Sequence, residues 1–198
     1  SPEFTKYDIF ARLNRGAEKL KVNEIRRAIY KSKVTAWITE FVDEQLATNK
    51  EYYESIFSQN DVKRYEDYGR LYKSLAFYLR SDIEHGLVTG YNSRPRDMIN
   101  NVLQEIQKGN VTIDKDILIS LLNKTLELRK QFGGVPNADY VIYALVPFIS
   151  LLDETKLSEK AKEVLDDEEI IATLRKSPAT TSNVNARLRR VKQMIAVN

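Results

Sequence analysis

The sequence predicts an all-α fold: an irregular bundle of about eight helices, with an amphipathic C-terminal helix after a short linker. Three observations predict it. Only 7 Gly and 5 Pro punctuate 198 residues. Between them apolar residues recur at threes and fours, the helical period. No stretch alternates apolar and polar residues for long enough to build a sheet.

Taken in order, Ser1-Pro2-Glu3-Phe4 reads as a cloning-junction remnant, with Thr5 as the N-cap of a short helix burying Ile9, Phe10 and Leu13. Asp8 occupies its capping-box position, and Gly16 can end it. Asn23 can cap the next stripe, which runs through Ile25, Ile29, Val34, Trp37, Ile38, Phe41 and Val42 as one helix or two. A shorter helix covers 51–58. Asp61 opens the strongest pattern, with Tyr65, Tyr68, Tyr72, Leu75, Leu79 and Ile83 on one face and Gly86 as its C-terminal stop. After the irregular stretch 86–96, Pro95 suits the first turn of a helix burying Ile99, Val102, Leu103 and Ile106. Thr112 or Asp114 starts another helix, rich in Leu and Ile, which Gly133-Gly134 stops. Asn137 caps the most apolar segment, 140–152, where Pro147 must kink or break the helix. Ser158 is the expected cap of an acidic helix reaching about Arg175. The helical domain thus spans 5–176, and 177–183 has linker composition. In 184–198, Val184, Leu188, Val191 and Ile195 lie on one face of a basic helix.

A chain of this length buries enough surface to fold without staples. It has no cysteine, which excludes thiolate-ligated metal sites and thiol catalysis. No apolar run approaches the roughly 20 residues that span a bilayer, and no signal-peptide pattern is present, so the expected setting is cytoplasmic or otherwise intracellular, with no membrane partner. The net charge of +3 conceals sorted charge. Residues 1–33 hold nine Lys/Arg against four acids, 151–171 hold eight acids against three lysines, and from Ala172 onward six cations meet no acid. Sorted charge points to a partner.

Catalytic signals are weak. His85 is the one histidine, placed where a helix C-terminus favours its positive charge, with no serine or threonine nearby in a nucleophile motif. Asp166 to Glu169 are consecutive and spread around a helix instead of converging. No phosphate-cradling glycine motif appears. The expectation is therefore no catalytic site, no metal and no cofactor.

Binding signals are stronger. In the 89–96 loop, Tyr91, Arg94 and Arg96 form an aromatic and guanidinium set of the kind favoured at interface hot spots. Arg187, Arg189, Arg190 and Lys192 give the C-terminal helix a basic face that can oppose Asp166–Glu169 of the same or another subunit. A helix of that length is marginal alone, so it must dock. A helix-turn-helix can be drawn from Glu24 to Val42, with Arg26, Arg27, Lys31 and Lys33 flanking the turn and able to meet phosphates. Its turn is short and lacks glycine, and one long amphipathic helix accounts for the same residues. Tyrosines and cations also interleave along 61–80, where the helical spacing of Tyr65, Tyr68 and Tyr72 reads as core. The sequence is thus read as a non-enzymatic helical interaction module, regulatory, viral or assembly-related. It would bind a protein partner, or itself, through its basic termini and the 89–96 loop. The alternative is a DNA- or RNA-binding helical protein using Arg26, Arg27, Lys31, Lys33 and the 187–192 cluster.

Overall fold

The structure, a computed structural model, describes residues 5–16 and 18–196. The expected junction remnant at 1–4 and the last two positions of the expected 184–198 helix lie outside the described residues. Twelve α-helices and one 3-10 helix form among the described residues, with only a two-stranded antiparallel hairpin beside them. The fold is all-α, as the spacing predicts. The helix number exceeds about eight because several apolar stripes are cut by local breaks. The chain packs as two compact units. Unit 1 runs to Leu71 and takes in Asn100–Lys115; unit 2 comprises Tyr72–Ile99 and the chain from Asp116 onward.

Unit 1 begins with α1 (Lys6–Leu13), closed at its start by the reciprocal capping box. Asp8 N–H donates to Thr5 Oγ1 (3.2 Å), and Thr5 N–H donates to Asp8 Oδ2 (3.3 Å). The face it buries differs from the one expected. Tyr7 is buried, whereas Ile9 and Leu13 are 51% and 78% exposed. A two-turn helix can hide only one face, and Lys6, whose ammonium donates to the Ile29 carbonyl (2.6 Å), helps to choose it.

The stripe from residue 23 to 42 forms two helices, α2 (Val22–Ile29) and α3 (Lys33–Thr48). Tyr30 leaves helical geometry (φ −102°, ψ 52°), and Ser32 starts α3 by accepting from Thr35 N–H (3.1 Å). Asn23 is no cap: it lies inside α2 and is buried. Then α4 (Lys50–Ile56) and α5 (Gln59–Lys63) follow, the latter capped by Ser58 instead of opened by Asp61. Tyr65 adopts a left-handed backbone (φ 59°), which separates α5 from α6 (Glu66–Arg80). The core of this unit includes Ile25, Tyr30, Ile38, Val42, Tyr53, Phe57 and Leu103.

In unit 2, β1 (Ser81–Asp82) pairs with β2 (Leu87–Val88) around a tight turn in which Gly86 has φ +68°. Helix α7 (Pro95–Gln107) starts at the expected proline and belongs to unit 1 from Asn100 onward, and α8 (Lys115–Gln131) supplies unit 2 with buried Leu118, Leu121, Leu122 and Leu126. Pro147 acts as predicted. Helix α9 (Ala138–Leu145) ends before it and the chain continues as the 3-10 turn Val146–Leu151. Asp153, not Ser158, caps α10 (Glu154–Asp166), accepting from Lys156 N–H at 2.8 Å. Asp167 caps α11 (Glu168–Arg175), and α12 (Thr181–Ala196) begins three residues earlier than the apolar spacing places it. Among the described residues no helix is long and apolar enough to cross a membrane.

Candidate functional site

Cations and aromatic rings are the side chains that the sequence marks for binding, and their surroundings decide which of them can do so. In unit 2 the C-terminal helix uses them internally. Arg187 is 1% exposed. Its Nη1 donates to the Thr173 carbonyl and to Thr173 Oγ1 (3.2 Å each), its Nη2 donates to the Pro178 carbonyl, and its guanidinium lies 5.1 Å from the Tyr140 ring centre. Burial pushes its pKa down to about 10. Arg189 donates to the Gly86 carbonyl (3.1 Å). Arg190 grips Asp167 with two bonds, Nε to Oδ2 at 3.0 Å and Nη2 to Oδ1 at 2.8 Å, and reaches Glu169 at 3.5 Å. That hydrogen-bonded guanidinium holds the Asp167 carboxyl below its ordinary range. Of the four cations on α12, Arg190 is thus the one that meets the acidic 166–169 segment of its own chain. Lys192 remains exposed.

The 177–183 segment is pinned. Asn183 Nδ2 donates to the carbonyls of Lys176 and Ser177 (3.1 Å each), and Tyr91 Oη donates to that of Ala179. The sequence groups Tyr91 with Arg94 and Arg96 as an exposed set. Tyr91 is instead buried, its ring 5.7 Å from that of Phe77, while Arg94 and Arg96 are exposed. An aromatic flanked by Gly, Asn, Ser and Pro reads as a loop residue, and only the position of Ala179 reveals its bond. A cavity of about 10 Å³ beside Arg187 is water-sized. His85 sits on the hairpin turn, where its Nδ1 lies 2.8 Å from Asp82 Oδ2. Bonds from the His85 backbone and ring keep the Asp82 carboxyl low.

Unit 1 presents a different arrangement. Arg26 is buried. Its Nε donates to Asn100 Oδ1 and its Nη1 to Asn23 Oδ1, both at 2.8 Å. It therefore belongs to the interior and not to a phosphate-binding surface. Asn23 Nδ2 in turn donates to the Tyr65 carbonyl (2.9 Å). This buried chain of bonds holds Tyr65 in a backbone conformation that bulky residues rarely adopt. Arg27 lies over two rings, 5.2 Å from the centre of Tyr65 and 4.7 Å from that of Tyr68. It makes no hydrogen bond or ion pair among the described residues, and neither does the ammonium of exposed Lys31. Lys33 is exposed at the start of α3.

Arg27, Lys31 and Tyr65 border an open groove of about 460 Å³, whose floor includes Ala28, Ser32, Thr35, Ala36 and Thr39. Glu24 is its one acidic wall, and Glu24 Oε1 is already engaged by the Lys21 N–H (3.0 Å). In the same unit Asp67 is buried, accepts from Tyr53 Oη (2.7 Å) and has its pKa raised by burial. The groove thus joins two unpaired cations, hydroxyl groups and a half-buried aromatic ring. Such a set can neutralise phosphate oxygens and meet a flat π-surface. Of the expected nucleic-acid residues, Arg27 and Lys31 line it. Tyr65, which the helical spacing assigns to the core, lies at its rim because nothing in the local pattern announces a left-handed turn.

No protein-family model, no curated protein and no solved structure matches the chain.

Proposed function

We propose that the protein is a non-enzymatic helical binding module whose unit 1 groove receives a nucleic-acid strand. One observation carries this reading: Arg27 and Lys31, without ion-pair partners among the described residues, border the same open groove. Support also comes from four of the other cations that the sequence marks, since Arg26, Arg187, Arg189 and Arg190 donate to carbonyl, amide or carboxylate partners of the same chain, whereas Lys33, Arg94 and Lys192 stay exposed outside this groove. The test is a binding titration of a labelled mixed-sequence oligonucleotide across salt. The logarithm of the binding constant should fall linearly with log salt, and the Arg27→Ala/Lys31→Ala double variant should flatten the slope by roughly 1.4, since each neutralised phosphate of a single strand contributes about 0.7. An unchanged slope in the double variant overturns the proposal.

A protein partner is the second reading, favoured by an exposed apolar set. Ile9, Leu13 and Val22 are 51%, 78% and 48% exposed, beside exposed Arg12, Arg15, Lys19 and Lys21. Exposed apolar side chains interspersed in sequence with exposed cations suit a partner surface of apolar and acidic composition. Leu13→Glu should weaken capture of that partner while leaving oligonucleotide binding intact.

A further inference from the structure

We infer that the unit 1 groove selects single-stranded over double-stranded nucleic acid, with Tyr65 as the face on which an unpaired base stacks. This rests on the nucleic-acid reading above and adds what distinguishes one strand from two. Phosphate contacts alone cannot make that distinction, because both forms carry the same backbone. A base can be read on its flat face only when it is unstacked from a helix.

The backbone of Tyr65 is the first observation. A φ of 59° is unfavourable for a tyrosine. The conformation persists because Asn23 donates to the Tyr65 carbonyl, and Asn23 is itself held by Arg26, which is held by Asn100. All three are at most 6% exposed. The approach of α6 is equally tight: a Cβ on Gly69 would stand 2.6 Å from Asn23 Nδ2, so a side chain there would evict the amide. Interior polar groups are thus committed to one result, a ring at the rim of a groove instead of in the core.

The groove supplies the rest. Arg27 lies against the Tyr65 ring and borders the same space, so a base on the tyrosine brings its phosphate toward a guanidinium that makes no ion pair among the described residues and feels the charge of Asp67 only through space. Lys31 follows just beyond the C-terminal end of α2 and borders the same groove. One aromatic ring and two cations thus border a single groove, a set that suits a base and its neighbouring phosphates. Its volume of about 460 Å³ admits a nucleotide, and a base still stacked in a duplex has no free face to offer Tyr65.

The experiment uses the full chain and three fluorescent probes of equal length: a dodecamer oligothymidylate, the corresponding abasic deoxyribose-phosphate strand, and a mixed-sequence duplex. Oligothymidylate should bind most tightly. Tyr65→Asn removes the ring while retaining a residue that tolerates the left-handed backbone, so the fold is kept. It should weaken oligothymidylate binding by about 5- to 150-fold, the usual worth of one stacked base, and leave the abasic strand unaffected. Tyr65→Phe, which keeps the stacking face, should bind like wild type. If the abasic strand or the duplex binds as tightly as oligothymidylate, or Tyr65→Asn changes nothing, the single-strand inference fails. It fails alone if the Arg27→Ala/Lys31→Ala variant still loses affinity for all three probes. Absence of binding to any probe overturns the underlying reading as well. Equal competition by a polyglutamate peptide would mark the groove as a general polyanion site and overturn the base-stacking role.

Discussion

Replacing Arg187 separates two opposed effects on the docking of α12. Burial holds the folded-state pKa at about 10, well below the ordinary guanidinium value, so at every pH below about 10 the charged group costs stability. At 1.36 kcal/mol per pKa unit the cost is about 3 kcal/mol. Against it stand two anchor points, the Thr173 carbonyl and hydroxyl and the Pro178 carbonyl, each worth roughly 1.5–3 kcal/mol when the donor is charged. The Tyr140 ring beside the guanidinium contributes about 1–2 kcal/mol in a desolvated site. The attractive side wins. Arg187→Met fills similar volume, removes the cost and the anchors together, and should lose roughly 1–5 kcal/mol. A loss near the middle of that range lowers the melting temperature by about 6–12 °C for a chain of this size. Arg187→Lys keeps the charge and its desolvation cost, yet one ammonium cannot reproduce the planar fork that reaches Thr173 and Pro178. It should therefore be no more stable than the methionine variant. Urea unfolding followed by circular dichroism, with amide exchange read on α12, measures both. A methionine variant as stable as wild type, or a lysine variant that matches wild type, refutes the reasoning.

Asp67 and Asp167 should titrate to opposite sides of 3.8 in a carboxyl NMR experiment. Burial raises Asp67, so its contribution to stability is fully present below 3.8 and is lost as pH rises through its folded value. The Arg190 hydrogen bonds lower Asp167, so its contribution is present above 3.8 and is lost as pH falls through its folded value. Midpoints on the same side would contradict one of the two environments. Gly69→Ala would ordinarily gain about 1 kcal/mol of helix propensity. Here its Cβ meets Asn23 Nδ2 at 2.6 Å, and the variant should lose stability and oligothymidylate affinity together. Gly86→Ala places a Cβ at a φ of +68° and 2.6 Å from Arg189 Cγ, and should destabilise by about 1–2 kcal/mol in thermal unfolding.

The elements legible from sequence are those written by local chemistry. Thr5 and Asp8 announce a capping box, Pro95 a helix start and Pro147 a break, and each acts within one turn of its own position. The apolar period of Leu118, Leu121, Leu122 and Leu126 likewise needs no distant partner to indicate a buried face. Boundaries set by competition are harder to read. Asn23 and Ser158 have cap chemistry, but Asn23 serves the Tyr65 carbonyl from inside α2, and Asp153 stands ahead of Ser158.

What the sequence by itself determined is the helical class, its many start and stop points, and the sorting of charge toward both ends. Tertiary structure alone decided which of those charges are available. Arg26 and Arg27 are adjacent and chemically identical, yet one is buried against Asn23 and Asn100 while the other faces an open groove. Arg187 and Lys192 share a helix, yet only the lysine meets solvent. The physical reason is the same in each case. Helical periodicity tells that a side chain has a face, but the carbonyls, amides and rings that claim a guanidinium come from positions distant in sequence, as Asn100 does for Arg26 and Tyr140 for Arg187.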